Sequence, residues 1–184
     1  CATLYRRRAR GWILLTSAAA LVALTVAGWN RFQGFGMTPE QQDSDYMHLC
    51  DWARDPLNTP LDAVFLVPPQ ETAFRLYAQR AIVVNFKHVP HLPGEIAQWW
   101  RTLSDVIGTD DVSSLTGDYV ATLRELGNRY DSRSPQELWS LAQRHGARYI
   151  VVCHDLGPDY SRFFVFTSQH GRYFVYDRGA DGEP

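Results

Sequence analysis

Four side chains that can ligate a metal or move a proton lie in two loops of the sequence. They are His88, His91, His154 and Asp155. Each pair follows a segment predicted as a buried strand, and the carboxyl ends of parallel strands are where α/β sheets bind ligands. Zinc requires three or four such ligands. Exposed loop histidines and an aspartate that caps a turn explain the same residues without a metal, and we favour that interpretation.

Known catalytic motifs give little further chemistry. The sequence has no P-loop, no GxGxxG after its first strand, no GxSxG and no HExxH. Where a dinucleotide site needs glycines, the chain reads Pro68-Pro69-Gln70. Because proline carries no N–H, this turn cannot hold a phosphate through its first two residues. We therefore predict no catalytic residue and no cofactor.

A long apolar segment precedes the residues just discussed. Residues 11–29 contain no charged side chain, and an α-helix of about 20 residues crosses a hydrocarbon core about 30 Å thick. Trp12 and Trp29 lie at its ends, where aromatic rings favour the headgroup level. A basic cluster precedes the segment: Arg6, Arg7, Arg8 and Arg10. We predict a cytoplasmic basic segment (1–10) and a transmembrane helix (11–30) in the bacterial inner membrane; a cleavable signal peptide is the alternative.

The rest of the chain has the composition of a folded domain. The 184 residues are 45% hydrophobic and 21% charged, which argues against disorder. The first 31 residues hold five arginines and no acid, so the remainder is acidic and a poor partner for nucleic acid. We predict a linker (31–37) and one periplasmic or extracellular domain (38–184).

Two of the three cysteines, Cys50 and Cys153, fall in the predicted extracytoplasmic domain. An oxidising compartment would permit a disulfide between them. Two separate buried thiols are the alternative, because cysteine is often a small core residue. We favour the separate thiols, and the sequence leaves both readings open.

The periodicity of apolar residues predicts an α/β domain. A helix with Thr38 as N-cap ends before Pro56, and a capping box at Ser134 opens a helix that ends at Gly146. The remaining predicted elements are strands over 63–67, 81–86 and 148–153, helices over 71–80, 95–107 and 116–129, and a hairpin with its turn at 168–171. This order predicts three layers around a small, mostly parallel sheet with a C-terminal antiparallel hairpin.

Several phrases of this sequence resemble the region after the last span in large polytopic bacterial membrane proteins. They are TPLDAVFLVPP, FRLYAQRAIVVNF, ARYIVV and RYFVYDRG. The family they resemble is uncharacterised and is distantly similar to glycosyltransferases that take sugars from polyprenyl-phosphate donors. In those enzymes the catalytic acids lie between earlier spans, so the resemblance assigns no catalytic residue to this chain.

Together these features lead to three hypotheses about function. The first is a non-catalytic accessory or scaffold subunit of a larger membrane complex, for example an energy-converting one, with the lipid bilayer and other transmembrane subunits as partners. The small and hydroxylated residues Thr16 and Ser17 of the predicted helix favour such packing. The second is part of a cell-envelope glycosyltransferase-like enzyme acting on lipid-linked sugars. The third is a periplasmic ligand-binding module.

Overall fold

The computed structural model describes residues 43–110 and 118–179 of the 184-residue chain. The predicted transmembrane helix (11–30), its arginine cluster and its two flanking tryptophans lie outside these ranges and stay predictions. Within the described ranges, no helix combines the length and the apolar character that a membrane crossing requires.

Five helices and five strands are described, with one short 3-10 helix. The helices are α1 (Ser44–Arg54), α2 (Phe74–Ala78), α3 (Pro93–Ile107), α4 (Tyr119–Asp131) and α5 (Pro135–His145). The strands are β1 (Val64–Leu66), β2 (Ala81–Ile82), β3 (Tyr149–Val152), β4 (Val165–His170) and β5 (Tyr173–Asp177). The 3-10 helix, Pro158–Arg162, follows β3.

The strands form one mixed sheet in the order β2-β1-β3-β5-β4. Strands β2, β1 and β3 pair in parallel, whereas β5 runs antiparallel to both β3 and β4. The mixed α/β class and the C-terminal antiparallel hairpin are confirmed. The prediction of a mostly parallel sheet is wrong, because two of its four pairings are antiparallel.

The second predicted strand, over residues 81–86, was expected inside the sheet, yet β2 is a two-residue edge strand. Val84 and Asn85 beyond it are buried. The Asn85 side chain accepts the backbone N–H of His88 and donates to the Thr72 carbonyl. Such local side-chain bonds compete with a strand ladder. The apolar run over 81–86 therefore correctly predicted that Val84 is buried, but wrongly predicted that strand pairing continues beyond Ile82.

Helices cover both faces of the sheet, so the domain has three layers. Alternate strand residues face opposite sides, as the pleat requires: Phe65 and Tyr149 join one core cluster, Leu66 and Ile150 the other. Helices α1 and α2 pack on the first face. Helices α3, α4 and α5 pack on the second.

Local signals explain where the helices begin and end. Asp43 caps α1 by accepting the backbone N–H of Tyr46, so the described helix begins at Ser44; the predicted cap Thr38 lies outside the described residues. The predicted capping box between Ser134 and Glu137 is confirmed at the start of α5. Gly146 ends that helix with a φ of 68°, a left-handed conformation that favours glycine.

Arg80 anchors the loop between α1 and β1. Its guanidinium, in a side chain only 3% exposed, donates to the hydroxyl and carbonyl oxygens of Thr59 and to the carbonyl oxygens of Arg54 and Gln79. Burying a guanidinium is costly unless its donors are satisfied, and these oxygens satisfy them while fixing the loop.

Candidate ligand-binding cleft

A cleft opens where β1 and β3 end side by side. After β1 the chain passes to α2 on one face of the sheet, and after β3 it passes to residues that pack on the other face. The diverging connections leave a crevice at the carboxyl ends of the two strands. In open α/β sheets this switch point is the usual place for a ligand.

We call this crevice the switch-point cleft. Its volume is about 620 Å³, which falls within the range of small-molecule sites. Its walls come from the loop after β1, one side of α4, the residue after β3 and the hairpin turn. The lining residues are Gln70, Glu71, Val120, Leu123, Arg124, Gly127, Asn128, Asp131, Cys153 and Arg172.

Helix α4 supplies six of those residues from a single stripe. Positions 120, 123, 124, 127, 128 and 131 recur with the three-to-four-residue spacing that puts side chains on one helical face. Gly127 lies in the middle of the stripe. A side chain there would collide with Gln70, whose amide nitrogen is 2.7 Å from the position of an added Cβ. Glycine at this position therefore leaves room for the Gln70 side chain against α4.

Asp131, which lines the cleft, lies close to His154, which does not line it. Asp131 Oδ1 lies 4.0 Å from His154 Nδ1, with the two side chains 30% and 43% exposed. Among the described residues, this buried oxygen has no hydrogen-bond partner. Burial raises the pKa of Asp131, while His154 and the backbone N–H of Cys153 act in the opposite direction. The arrangement can exchange a proton or receive a cationic group.

A chain of polar contacts forms the opposite wall. Arg172 donates to the Tyr173 hydroxyl at 2.7 Å, and that hydroxyl donates to Glu71 Oε1 at 2.9 Å. Arg172 also pairs with Asp43 at 2.8 Å. Burial, followed by the charge of Glu71, raises the pKa of Tyr173, so the hydroxyl remains a neutral donor. These contacts fix Glu71 and compensate Arg172.

Tyr130 lies beneath the cleft and joins α4 to the sheet. Its hydroxyl is 3.0 Å from the Val151 carbonyl oxygen and 3.3 Å from that of Leu66. These carbonyls belong to β3 and β1, the two paired strands whose following connections diverge at the cleft. One fully buried side chain thus holds the cleft's helix wall against its floor.

A second, smaller cavity of about 290 Å³ lies beyond β2. His88 and Trp99 both line it. The side-chain nitrogen Nδ2 of Asn85 lies 2.7 Å from His88 Nδ1, and Trp99 Nε1 donates to the Asn85 carbonyl at 2.9 Å. An amide N–H donated to Nδ1 leaves Nε2 as the protonated nitrogen of the neutral ring. We call this cavity the His88 pocket.

The four predicted metal ligands are therefore distributed over different places. His88 lines the smaller pocket and His91 is exposed in the same loop, whereas His154 faces Asp131. Asp155 accepts the backbone N–H of Gly157 and the Tyr176 hydroxyl, as a turn-capping aspartate does. Within residues 43–110 and 118–179, no three histidine, cysteine or acidic side chains are placed to share a metal ion.

The two cysteines are free thiols in the structure. Cys50 is fully buried on the apolar face of α1, and Cys153 lines the switch-point cleft. Burial raises the pKa of each thiol to about 12, so neither is an activated nucleophile at neutral pH.

Sequence reasoning placed a site at the strand ends but missed most of the residues that line it. Asp131, Arg124 and Arg172 were not singled out, since charges on an amphipathic helix or in a hairpin turn resemble an ordinary solvated surface. The spacing from Val120 to Asp131, with glycine in the middle, was the signal available. It becomes informative only when the pairing of β1 with β3 is known.

Comparison with known proteins gives one partial match. Residues 44–106, about a third of the chain, match the model of a family described as a domain of unknown function (DUF6798). The matched segment includes every residue that lines the His88 pocket but only Gln70 and Glu71 of the switch-point cleft. Searches of curated proteins and of solved structures found no match.

Proposed function

We propose that this protein is a membrane-anchored, ligand-binding module whose switch-point cleft takes a small polar molecule. The observation that carries the proposal is the cleft's position between β1 and β3, at the topological switch point of the sheet. The cleft combines two acids, two arginines and the apolar Val120 and Leu123. A few polar groups on an apolar background are what a specific small-molecule site requires.

A binding screen with a blocked variant tests this proposal. The full-length chain in mild detergent is screened by thermal unfolding against a set of small polar metabolites. We expect at least one compound to raise the melting temperature, because a ligand at about 100 times its Kd stabilises a protein by about 2.7 kcal/mol. Asn128→Trp, which fills the cleft from an exposed position on α4, should abolish the shift.

The matched control is Gln143→Trp, an exposed position on α5 that does not line the cleft. It should preserve the shift. The proposal fails if no compound stabilises the chain, or if Asn128→Trp responds to the same compounds as the unchanged chain.

The accessory subunit predicted from the sequence is a second candidate. Leu57 and Leu61 are 92% and 76% exposed in the loop that Arg80 fixes through Thr59. A loop whose backbone is already held in place has less backbone freedom to lose when a partner covers its apolar side chains, which favours docking. This observation supports the idea that the domain is held against another subunit.

Copurification from native membranes tests the second candidate. Replacing Leu57 and Leu61 together by aspartate should release stoichiometric partners. Leu76→Asp, at a leucine 67% exposed on α2, should leave them bound. If the double variant retains the same partners, the exposed leucines of this loop no longer support the accessory-subunit candidate.

Both candidate functions assume that the domain has the predicted extracytoplasmic location. Leu57→Cys provides a reporter on intact cells, because this position is the most exposed apolar side chain in the described residues. A membrane-impermeant maleimide should label the variant but not the parent chain. Labelling that requires cell lysis would contradict the predicted orientation. The glycosyltransferase-like alternative stays a prediction, with no acid of this chain assigned to it.

A further inference from the structure

We infer that the switch-point cleft binds a small zwitterion, a molecule that carries both an ammonium and an anionic group. The inference rests on the binding function proposed above and names the class of ligand. It follows from which charged groups of the cleft are already compensated and which are not.

Two of the four charged side chains in the cleft are engaged within the domain. Arg172 pairs with Asp43 at 2.8 Å. Glu71 accepts the Tyr173 hydroxyl, which itself receives a hydrogen bond from Arg172. These contacts pair Arg172 with an acid and hold Glu71 through a neutral hydroxyl, so this wall offers no unpaired guanidinium to a ligand.

The other two charged side chains, Asp131 and Arg124, remain open to the cleft. In the described ranges, Arg124 has no ion-pair partner, and Asp131 has a long contact of 4.0 Å with His154 together with a hydrogen bond from the backbone N–H of Cys153. The Asp131 side chain is 30% exposed although its Oδ1 is buried. The Asp131 side chain is therefore partly accessible from the cleft that it lines, and a partly buried carboxylate favours a cationic partner.

The two groups lie on the same helix with a gap between them. Arg124 precedes Asp131 by seven residues, a rise of about 10.5 Å along the α4 axis. The flexible arginine side chain can shorten this distance. Gly127 and Asn128 lie between them on the cleft side, and the side-chain amide of Gln70 packs against Gly127. The surface between the two charged groups is therefore polar but uncharged.

The geometry therefore orients the ligand, with its ammonium at Asp131 and its anion at Arg124. Phosphoethanolamine and γ-aminobutyrate carry this chemistry, with a phosphate or a carboxylate as the anion. The same phosphoethanolamine unit occurs free in solution and as a lipid headgroup, and the experiment distinguishes these sources.

Calorimetric titration of the full-length chain in detergent is the primary test. Phosphoethanolamine or γ-aminobutyrate should bind at least tenfold more tightly than ethanolamine, inorganic phosphate or butyrate. Asp131→Asn and Arg124→Gln should each weaken binding at least tenfold. Glu125→Gln is the matched control, because Glu125 lies on the same helix, pairs with Arg129 and does not line the cleft; it should leave the affinity unchanged.

The source is tested with the chain in nanodiscs. If the lipid headgroup occupies the cleft, free phosphoethanolamine should bind more weakly in discs containing phosphatidylethanolamine than in discs of phosphatidylcholine, whose quaternary ammonium cannot donate. Equal affinities would assign the site to the free compound. Both results retain the zwitterion and choose its source.

Failure of this inference is distinguishable from failure of the binding function. If singly charged compounds bind as tightly as zwitterions, or if Asp131→Asn and Arg124→Gln bind like the parent chain, the zwitterion is wrong although the cleft binds ligands. If no compound of any class binds and Asn128→Trp changes nothing, the binding function itself is wrong.

Discussion

Single buried polar residues hold parts of this fold in place, and Arg80 is the clearest case. Arg80→Ala leaves four oxygen acceptors without their donor and a cavity beside them. We expect a loss of about 2–4 kcal/mol in the free energy of unfolding, measured by urea denaturation. Arg75→Ala, at an exposed arginine on α2, should change that free energy by less than about 0.5 kcal/mol. Equal effects of the two changes would refute this role for Arg80.

The raised pKa of Asp131 predicts that its contribution to folding stability falls as the pH rises, whereas that of most carboxylates increases. Burial raises its pKa above the ordinary value of 3.8, so the folded chain binds this proton more tightly than the unfolded chain. The resulting stabilisation is complete below the ordinary value and is lost as the pH rises through the raised pKa. Asp131→Asn should therefore gain stability relative to the parent between about pH 3 and neutrality.

Urea midpoints of both proteins across that range measure the difference. Asp159→Asn, at an exposed carboxylate of the 3-10 helix, serves as the control and should follow the parent. A constant gap between Asp131→Asn and the parent at every pH would contradict the assignment.

At the scale of elements, helix ends were predictable where the chain carries its own local signal. Ser134 accepts the backbone N–H of Glu137, and Glu137 accepts that of Ser134. Ser134→Ala should cost about 1 kcal/mol of unfolding free energy, measured by thermal or urea unfolding. Ser140→Ala removes a hydroxyl that bonds only within α5, and should cost less than about 0.5 kcal/mol. A reversed order would mean that the capping box contributes nothing.

Elements defined by distant contacts were less predictable. Tyr46, Leu49, Cys50 and Ala53 recur in the sequence at the three-to-four-residue spacing of one helical face, and all four are buried in α1. The run over 81–86 gave no sign that its ladder would stop after two residues, since Asn85 finds its partners in Thr72 and His88. The periodicity of apolar residues in a sequence indicates which side chains are buried. It does not indicate which strand will pair with a given segment.

At the scale of the whole molecule, both core clusters are built from residues between Tyr46 and Tyr176. We expect a fragment of residues 43–184 to fold without the preceding segment. Far-UV circular dichroism and tryptophan fluorescence should then report one coincident, cooperative transition in urea. Separate transitions, or a fragment without a transition, would show that the preceding residues are required for folding.

The candidate cleft illustrates why whole-molecule features escape sequence reasoning. His154 was singled out because it follows a strand, yet its neighbour Asp131 comes from a helix 23 positions earlier. The pairing of β1 with β3 and the hydroxyl of Tyr130 bring these positions close together. Such proximity depends on topology, which local patterns do not encode.

The raised pKa of the Cys50 and Cys153 thiols has a consequence for the redox behaviour of this protein. With a pKa of about 12, roughly one sulfhydryl in a hundred thousand is ionised at neutral pH. Thiolate is the species that attacks oxidants and small disulfides. We therefore expect Cys50 and Cys153 to react slowly with a small disulfide at neutral pH.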